Sequence, residues 1–236
     1  MRGFIVMGMF LAGFANAAWK DYTEVRDLQL DARTIGELSV KAGAGGMEVK
    51  GVSGLDRIVV KATVIVPDAD EDEAAKVIEK KMRLSLRHEG GRAQLDSWFE
   101  HGWFGKGSNA RIDLEINVPA GIAVSIDDGS GSIDVENIHA DLSIDDGSGA
   151  IGLQNVANVN IDDGSGSIDV SMASGDVSIV DGSGSIDVRS VNGSVRIDDG
   201  SGSINVIDVE EDLIIVDDGS GDVSFADVRG TVEQDS

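Results

Sequence analysis

The chain has 236 residues, no cysteine and a formal net charge of −24 at pH 7. The lack of cysteine excludes a disulfide framework, a thiolate zinc site and a lipid-attachment cysteine behind a signal peptide. The acidic surplus argues against binding to nucleic acid or to anionic membranes, and it favours cations or basic partners.

The first 17 residues have the pattern of a secretory signal peptide. Arg2 provides the positive end, Phe4 to Phe14 form an apolar run, and Ala15-Asn16-Ala17 is a small-residue cleavage site. The run is short for a membrane span and is followed at once by polar residues, although an uncleaved N-terminal anchor is the alternative. We therefore predict removal of residues 1–17 and a mature chain without a transmembrane helix, exported to the periplasm or to the extracellular cell surface.

Residues 18–58 are predicted to contain N-terminal strands and a first coil of the repeat described below. The segment Val40–Val49 (VKAGAGGMEV) has the two glycines and the apolar residues of the later coils. It carries Lys41 and Ala42 where later coils have two aspartates, so we expect this turn to form without carboxylates. Ile58 lies 18 residues after the start of this segment, where a next coil would begin, but the period is lost beyond it.

Residues 59–125 are interpreted as an inserted α/β cap. A β-rich run at Arg57–Val66 predicts a strand that Pro67 ends, and an acidic start followed by an apolar face predicts a helix over 69–83. Because solenoids need capped ends, we expect this module to cover the N-terminal end of the stack. Further strands are predicted at 84–87, 93–95 and 111–118, with a hairpin turn at Gly90-Gly91.

An aromatic cluster lies inside the insertion, in the segment WFEHGWFGKG. Its members can either pack on the cap or contact a partner or a membrane interface. The three histidines of the chain have no metal-ligand spacing, so we expect no transition-metal site. The cluster consists of Trp98, Phe99, His101, Trp103 and Phe104.

Residues 126–236 contain a block that recurs six times, IDDGSGSIDV and close variants. A near-constant period of this kind predicts a solenoid in which each repeat is one coil. Alternating apolar residues predict two short strands per coil, separated by the turn DDGSGS and a second corner and stacked about 4.8 Å apart as parallel neighbours. The predicted fold is therefore all-β, a single-stranded parallel β-helix of about 18-residue coils with the inserted cap. The blocks begin at Ile126, Ile144, Ile161, Ile179, Ile197 and Val216, at spacings of 18, 17, 18, 18 and 19 residues.

Two glycines per block occupy fixed columns, which begin at Gly129 and Gly131. Glycine that recurs at a corner indicates a backbone with positive φ or without room for a Cβ atom. A phosphate-binding loop is the functional alternative. It is disfavoured because neither a helix nor a lysine follows the glycines and an acidic pair precedes them.

Two aspartates precede the glycines in most blocks, so we expect rows of carboxylates on the outside of an aliphatic spine. Residues 126–236 hold 25 acidic but only three basic side chains. Like charges about 4.8 Å apart repel by about 0.9 kcal/mol in water and about 3.5 kcal/mol at an effective dielectric constant of 20. The first column contains Asp127, Asp145, Asp162, Asp198 and Asp217 and is broken at Val180; the second contains Asp128, Asp146, Asp163, Asp181, Asp199 and Asp218; a shorter third contains Asp134, Asp169 and Asp187.

Three effects can offset this repulsion. Turn N–H groups can donate to the carboxylates, salt can screen them in solvent, or a divalent cation can bind oxygens of adjacent coils. The repeat differs from the nine-residue calcium-binding β-roll in length and spacing. If the stack binds ions, we predict that the complete second column, Asp128 to Asp218, ligates Ca²⁺, the one cofactor that the sequence favours.

Four features together resemble the bacterial putative-adhesin family, secreted β-solenoids of unknown function. They are VKAGAGGMEV at 40–49, PDADEDEAAKVIEKK at 67–81, INVPAGIAV at 116–124 and the GSGSIDV coils, and the likeness covers about residues 35–233. The resemblance implies a β-helix with a helical insertion and no established catalytic residues. The regular pair of aspartates departs from the family's common pattern.

The sequence is interpreted as a non-enzymatic interaction or structural module with an unidentified protein or glycan partner on the cell surface. A serine–histidine–aspartate arrangement cannot be assembled from one coil. One alternative is a self-assembling scaffold, formed by end-to-end pairing of the open last coil. A polysaccharide-binding or polysaccharide-processing β-helix is less favoured because Phe225 is the solenoid's one aromatic residue, and an ice-binding face is disfavoured because threonine rows are absent.

Overall fold

The computed structural model describes residues 21–100 and 109–234, whose strands form two sheets of ten strands each. The N-terminal part contains β1 (Tyr22–Asp31), β2 (Glu37–Ala42), β3 (Met47–Val52), β4 (Arg57–Val66), α1 (Glu71–Lys81), β5 (Met82–Glu89), β6 (Arg92–Phe99) and β7 (Arg111–Pro119). The repeats contain β8 (Ala123–Asp128), β9 (Ile133–Glu136), β10 (Leu142–Asp146), β11 (Gly149–Val156), β12 (Val159–Asp163), β13 (Gly166–Ala173), β14 (Val177–Asp181), β15 (Gly184–Val191), β16 (Val195–Asp199), β17 (Gly202–Val209), β18 (Leu213–Asp217), β19 (Val223–Val228) and β20 (Val232–Gln234).

Each coil of the repeat contributes one strand to each sheet. The first sheet has the order β1-β4-β7-β3-β9-β11-β13-β15-β17-β19, and the second has the order β20-β18-β16-β14-β12-β10-β8-β2-β6-β5. Successive coils pair in parallel and in register, so that Ile144 lies between Ile126 and Ile161. The predicted β-helix of about 18-residue coils is therefore confirmed.

The interior is one continuous stack of apolar side chains. Ile126, Ile144 and Ile161 are each 1% exposed, and Ile133 of the opposite sheet is fully buried. All of them belong to a single cluster that extends into α1 at Ala74. Because one coil cannot bury its own apolar face, the stability of each coil depends on its two neighbours.

The turn between the two strands of a coil is shorter than predicted. In the coil of Ile144, the two aspartates end β10 and the second glycine already opens β11, so only Gly147 and Ser148 lie between the strands. The aspartate backbones pair with the neighbouring coils like the rest of the strand. Their side chains therefore follow the alternation of a strand and not the geometry of a turn.

The last block enters the stack one residue earlier than its motif predicts. Ile197 pairs with Ile215, which is 1% exposed, whereas Val216 is only half-buried. The register then shifts by one residue, so that Asp198 pairs with Asp217. The prediction that this block begins at Val216 is therefore wrong, because a bulge absorbs the extra residue and leaves the apolar column in place.

Both predicted reasons for the glycine columns are confirmed. Gly166 has φ +155°, and a Cβ atom built there would lie 1.5 Å from the carbonyl oxygen of Gly149 in the preceding coil. At Gly164, in the other column, a Cβ atom would lie 2.5 Å from the carbonyl oxygen of Gly147. The corner backbones of successive coils are thus too close for any side chain.

The second corner uses residues other than glycine in the left-handed conformation, and the sequence pattern does not predict them. Asparagine and aspartate tolerate this conformation because their short polar side chains bond locally. Nothing in the structure explains why methionine occupies this position in one coil. The residues are Asn137, Asn155, Met172, Ser190, Asp208 and Asp227, with φ between 54° and 63°.

The N-terminal coil lies between the inserted module and the repeats. Strands β2 and β3 pair in parallel with β8 and β9 on one side, where Val40 meets Ile126, and with β6 and β7 on the other. The coil predicted at 40–49 is therefore confirmed, and β6 and β7 form a further coil below it. No coil begins at Ile58, where the period would place one, because β4 runs antiparallel between β1 and β7.

Antiparallel strands and a helix cover the N-terminal end of the stack, as predicted. Strands β1 and β4 end the first sheet, and β5 ends the second by pairing antiparallel with β6 across Gly90-Gly91. Helix α1 connects β4 to β5 and begins with a capping box formed by Asp70 and Glu73. It buries one apolar face that includes Val77.

Several predictions fall outside the described residues. The signal peptide at 1–17 is one of them, and so are three members of the aromatic cluster, His101, Trp103 and Phe104. In the part of the chain that the structure describes, no helix has the length and apolarity of a membrane span. The division of the chain into 18–58, 59–125 and 126–236 stays a prediction.

Candidate functional site

In β8, β10, β12 and β16, which end in two aspartates, the two side chains point to opposite faces of the second sheet. In β10, Ile144 and Asp146 are buried whereas Asp145 is exposed. Side chains alternate along a strand, so the aspartate two residues after a core isoleucine enters the interior. The expectation that both columns face solvent is therefore right for the first column and wrong for the second. Counting in steps of two from Ile126 would have assigned Asp128 to the inside from sequence alone.

We call the buried aspartates at the ends of β8, β10, β12, β14 and β16 the inner column. In the N-terminal coil, Ala42 of β2 occupies the position that matches the inner column, so Asp128 is the first aspartate of the column. The sixth predicted member, Asp218, lies beyond the end of β18 and is half-buried. The members of the inner column and their exposed fractions are Asp128 (5%), Asp146 (2%), Asp163 (2%), Asp181 (3%) and Asp199 (0%).

The inner carboxyl groups are at most half satisfied by hydrogen bonds, and both oxygens of Asp146 lack a partner among the protein atoms. In three coils the backbone N–H two residues later donates to Oδ1, at 3.3 Å in Asp163, 3.1 Å in Asp181 and 3.0 Å in Asp199. These are the turn bonds that the sequence predicts for such aspartates. Oδ2 of all five inner aspartates is buried and has no hydrogen-bond partner among the protein atoms.

Burial raises the pKa values of the inner carboxyl groups. Loss of hydration, followed by the negative charge of Asp146, raises the pKa of Asp128 from 3.8 to about 7. Loss of hydration also raises the pKa of Asp181 to about 6. The same cause is the largest one for the raised pKa values of Asp146, Asp163 and Asp199.

Calcium binding by Asp128, Asp146, Asp163, Asp181, Asp199 and Asp218 stays a prediction. Calcium takes six to eight oxygen ligands, whereas Asp146 has two buried oxygens without a partner and each of the other inner aspartates has one. Within residues 21–100 and 109–234, no three acidic or histidine side chains are grouped in a way that could hold a metal ion. The structure therefore does not identify the inner column as a metal centre.

We call the outward-facing aspartates one residue earlier the outer column; all are exposed except Asp198, which is half-buried. Its members are Asp127, Asp145, Asp162, Asp198 and Asp217. At its N-terminal end, Lys41 Nζ lies 3.5 Å from Asp127 Oδ2. No other cation of the described chain forms an ion pair with this column. Val180, which is 45% exposed, interrupts it. From Asp145 onward the column is thus a row of solvent-facing negative charges without a basic partner in the described residues.

On the outward face of the first sheet, a larger share of the negative charge is compensated by a basic side chain. Arg189 lies 3.1 Å from Asp169 and 2.9 Å from Asp187, which belong to the third column. Asn205 donates to Asp187 at 2.8 Å. Arg189 is not among the residues predicted from the sequence, although its position two residues after Asp187 on the same strand face indicates such a bridge. The two sheets therefore present different charge patterns to solvent.

Comparison with known proteins gives structural neighbours only. No protein-family model matches the sequence, and no curated protein matches it significantly. A structure of a putative adhesin from Bacteroides fragilis is 13% identical, with a TM-score of 0.52 over 90% of this chain and 97% of that chain. A putative lipid binding protein from Parabacteroides distasonis is 14% identical, with a TM-score of 0.43 over 90% and 94% of the two chains. A putative cell adhesion protein from Clostridium sporogenes is 12% identical, with a TM-score of 0.32 over 91% and 98%.

The likeness to the Bacteroides fragilis protein bears on the fold. The match to the Bacteroides fragilis protein covers nearly the whole of both chains, so it includes the cap as well as the coils. The resemblance predicted from the sequence is confirmed at this level: the chain has the β-solenoid fold of a putative bacterial adhesin.

Proposed function

We propose that this chain is an exported, adhesin-like interaction module without catalytic activity, and that its outer column binds a basic partner at the cell surface. The signal sequence at residues 1–17 supports export. The fold shared with a putative adhesin supports a role in surface interaction. The long acidic solenoid supplies a rigid surface on which such a partner can bind.

The observation that carries the proposal is the uncompensated charge of the outer column. Its carboxylates repeat once per coil except at Val180, and two such charges about 4.8 Å apart repel by about 1 kcal/mol in water. A lysine or arginine side chain placed between two coils is attracted by both carboxylates and removes their repulsion. The row also attracts a basic surface from a distance, which speeds association at low ionic strength.

A matched pair of triple variants tests this proposal. D145N/D162N/D198N neutralises three charges on the second sheet, and D134N/D169N/D187N neutralises three charges on the first sheet. The probe is an immobilised decalysine peptide, and the measurement is the dissociation constant by surface plasmon resonance. Because exposed ion pairs contribute about 0.2–1 kcal/mol each, we expect the first variant to bind about tenfold more weakly than the wild type.

The control variant should lose much less affinity, since Arg189 already compensates two of its carboxylates. Equal losses in the two variants would mean that only net charge matters and that the outer column is not a site. Cell fractionation of the full chain and of a chain lacking residues 1–17 tests export separately. Retention of both chains in the cytoplasm would contradict an extracellular role.

A second function, end-to-end self-association, has one observation in its favour. Phe225 is 45% exposed and Val232 is 36% exposed, although they pair with the buried residues Val206 and Leu213 of the preceding coil. The last coil therefore presents core positions to solvent, and β19 and β20 are the last strands of their sheets. Light scattering over a wide concentration range tests this function. A purely monomeric wild type would exclude it.

A further inference from the structure

We propose that the inner column is a proton-binding site, in which aspartates of successive coils share protons between their Oδ2 atoms inside the folded solenoid. The proposal is independent of the proposed function, which depends on the outer column and not on the inner one. It assigns a ligand to five buried carboxyl groups that neither the partner-binding role nor the fold explains.

The Oδ2 atoms of the inner column are buried and unpaired. The five inner aspartates are at most 5% exposed, and their Oδ2 atoms have no hydrogen-bond partner among the protein atoms. An ionised carboxylate without hydration or a partner is strongly disfavoured. A proton on Oδ2 removes the charge and turns that oxygen into a hydrogen-bond donor.

The register of the coils places the inner carboxyl groups beside one another. Asp146 pairs with Asp128 on one side and with Asp163 on the other, so each interior member has a carboxyl group one strand spacing away in both directions. A carboxylic acid of one coil can therefore donate to the carboxylate of the next. Hydrogen bonds of this charge-assisted kind are shorter and stronger than neutral ones.

Within the described residues, the inner column has no compensating cation. The charges that act on the inner column are all acidic: its own members, the outer aspartates on the opposite face of the same sheet, and Asp218 beyond β18. On the side of the first sheet, Oδ2 of Asp181 faces the backbone of Gly184, where a Cβ atom would lie 3.3 Å away. Isoleucine and valine fill the adjoining core. Among the described residues, the inner aspartates form no ion pair with lysine, arginine or histidine.

The pH range follows from the direction of the pKa shifts. The pKa values of the inner carboxyl groups are higher in the folded chain than the unfolded value of 3.8. They reach about 7 for Asp128 and about 6 for Asp181. The folded chain therefore holds more protons than the unfolded chain between pH 4 and pH 7. The stabilising contribution of these protons is complete below the unfolded pKa and is lost as the pH rises through the folded one. Since the carboxyl groups are neighbours, the titration belongs to the column as a whole.

Two double variants test the proposal. D146N/D163N changes the inner column, and D145N/D162N makes the same two substitutions in the outer column on the same strands. The measurement is the thermal midpoint between about pH 5 and pH 8. We expect the wild-type midpoint to fall by about 5 °C or more over this range. The outer variant should keep this slope.

The inner variant should have a flatter slope and a higher midpoint at pH 8, because stacked asparagines bond to each other without needing a proton. Identical slopes in the two variants would overturn the proposal and assign the pH dependence to surface repulsion. If millimolar calcium raises the midpoint of the wild type and of the outer variant but not of the inner variant, the column binds a cation and the proposal is also overturned.

Infrared spectroscopy of the wild type provides a readout that requires no variant to fold. At pH 6 exposed carboxyl groups are ionised, so a C=O stretching band of protonated carboxylic acid reports buried protons. We expect this band in the wild type and in D145N/D162N, and a weaker band in D146N/D163N. The absence of the band from the wild type at pH 6 would overturn the proposal whatever the variants do.

Discussion

The N-terminal coil and the repeat coils share one backbone but not one charge pattern. Val40 stacks on Ile126, and Gly45, with φ +134°, precedes Gly131, with φ +138°. Where the repeats have an outer and an inner aspartate, the N-terminal coil has Lys41 and Ala42. The same corner is therefore formed with and without carboxyl groups. Glycine and the apolar columns determine the fold, and the aspartates are an addition to it.

This difference indicates that the inner aspartates cost stability at neutral pH. Alanine fills the matching position in the N-terminal coil without a polar atom to satisfy, whereas each repeat buries an Oδ2 atom without a partner. Replacing buried charged groups by apolar ones is often neutral or stabilising in proteins. The proposed protons reduce this cost, so the difference in stability between a coil with an inner aspartate and a coil with alanine should depend on pH.

The largest expected effect tests whether the two regions really share their backbone. In the repeats, Gly166→Ala places a Cβ atom 1.5 Å from the Gly149 carbonyl oxygen at φ +155°. In the N-terminal coil, Gly45→Ala places one 2.2 Å from the Ile112 carbonyl oxygen at φ +134°. Backbone strain and overpacking together should lower the free energy of unfolding by at least about 3 kcal/mol in each case. Chemical denaturation measures both.

Gly121→Ala is the matched control for these substitutions. A Cβ atom at this position has no neighbour within 4 Å, and its φ lies outside the left-handed range. Its effect should be within about 0.5 kcal/mol of zero. A tolerated Gly45→Ala beside a destabilising Gly166→Ala would show that the N-terminal coil is built differently from the repeats.

An intermediate effect is expected when the N-terminal coil is given the inner acid of the repeats. Ala42→Asp places a carboxyl group between Asp128 and the buried Ser97. We expect a loss of about 1–2 kcal/mol at pH 8, since the new charge is partly desolvated and repels Asp128. The loss should shrink towards pH 5, because protonation of a group with a raised folded-state pKa restores stability as the pH falls. Denaturant titration at the two pH values measures it.

Ala42→Ser is the control for Ala42→Asp, because it adds a polar oxygen without a titrating charge. Its effect should be smaller and should not depend on pH. A pH-independent loss in Ala42→Asp would mean that steric crowding, and not charge, makes this position unfavourable for an acid.

The coil and its register could be predicted because identical residues recur at a nearly fixed period. The same regularity predicted the columns of glycine and of aspartate. The side on which Asp128 lies was predicted wrongly, because a DDGSGS segment was interpreted as a turn, whereas the parallel pairing continues through both aspartates. The alternation that starts at Ile126 contains the correct answer.

The strand pairing that joins the inserted module to the N-terminal coil could not be predicted from the sequence. Strand β6 pairs with β2, which lies 50 or more residues earlier, and no repeated motif marks this pairing. Ile58 satisfies the period but enters an antiparallel strand. Likewise, the bulge at Val216 depends on which of two adjacent apolar residues, Ile215 or Val216, packs better in the column. Such choices are made by tertiary contacts.

The smallest expected changes in the free energy of unfolding have opposite signs in the N-terminal coil and in the repeats. Lys41→Ala removes the cation that lies 3.5 Å from Asp127, so it should lower the free energy of unfolding by no more than about 0.5 kcal/mol. Asp145→Ala removes a charge that lies between Asp127 and Asp162 on neighbouring coils, so it should raise that free energy by a similar amount. Urea denaturation at low salt measures both. In about 1 M salt the Debye length falls to about 3 Å, so the two differences should nearly vanish. If Asp145→Ala is destabilising at low salt, the outer column is held by compensating contacts and is not a row of free charges open to a basic partner.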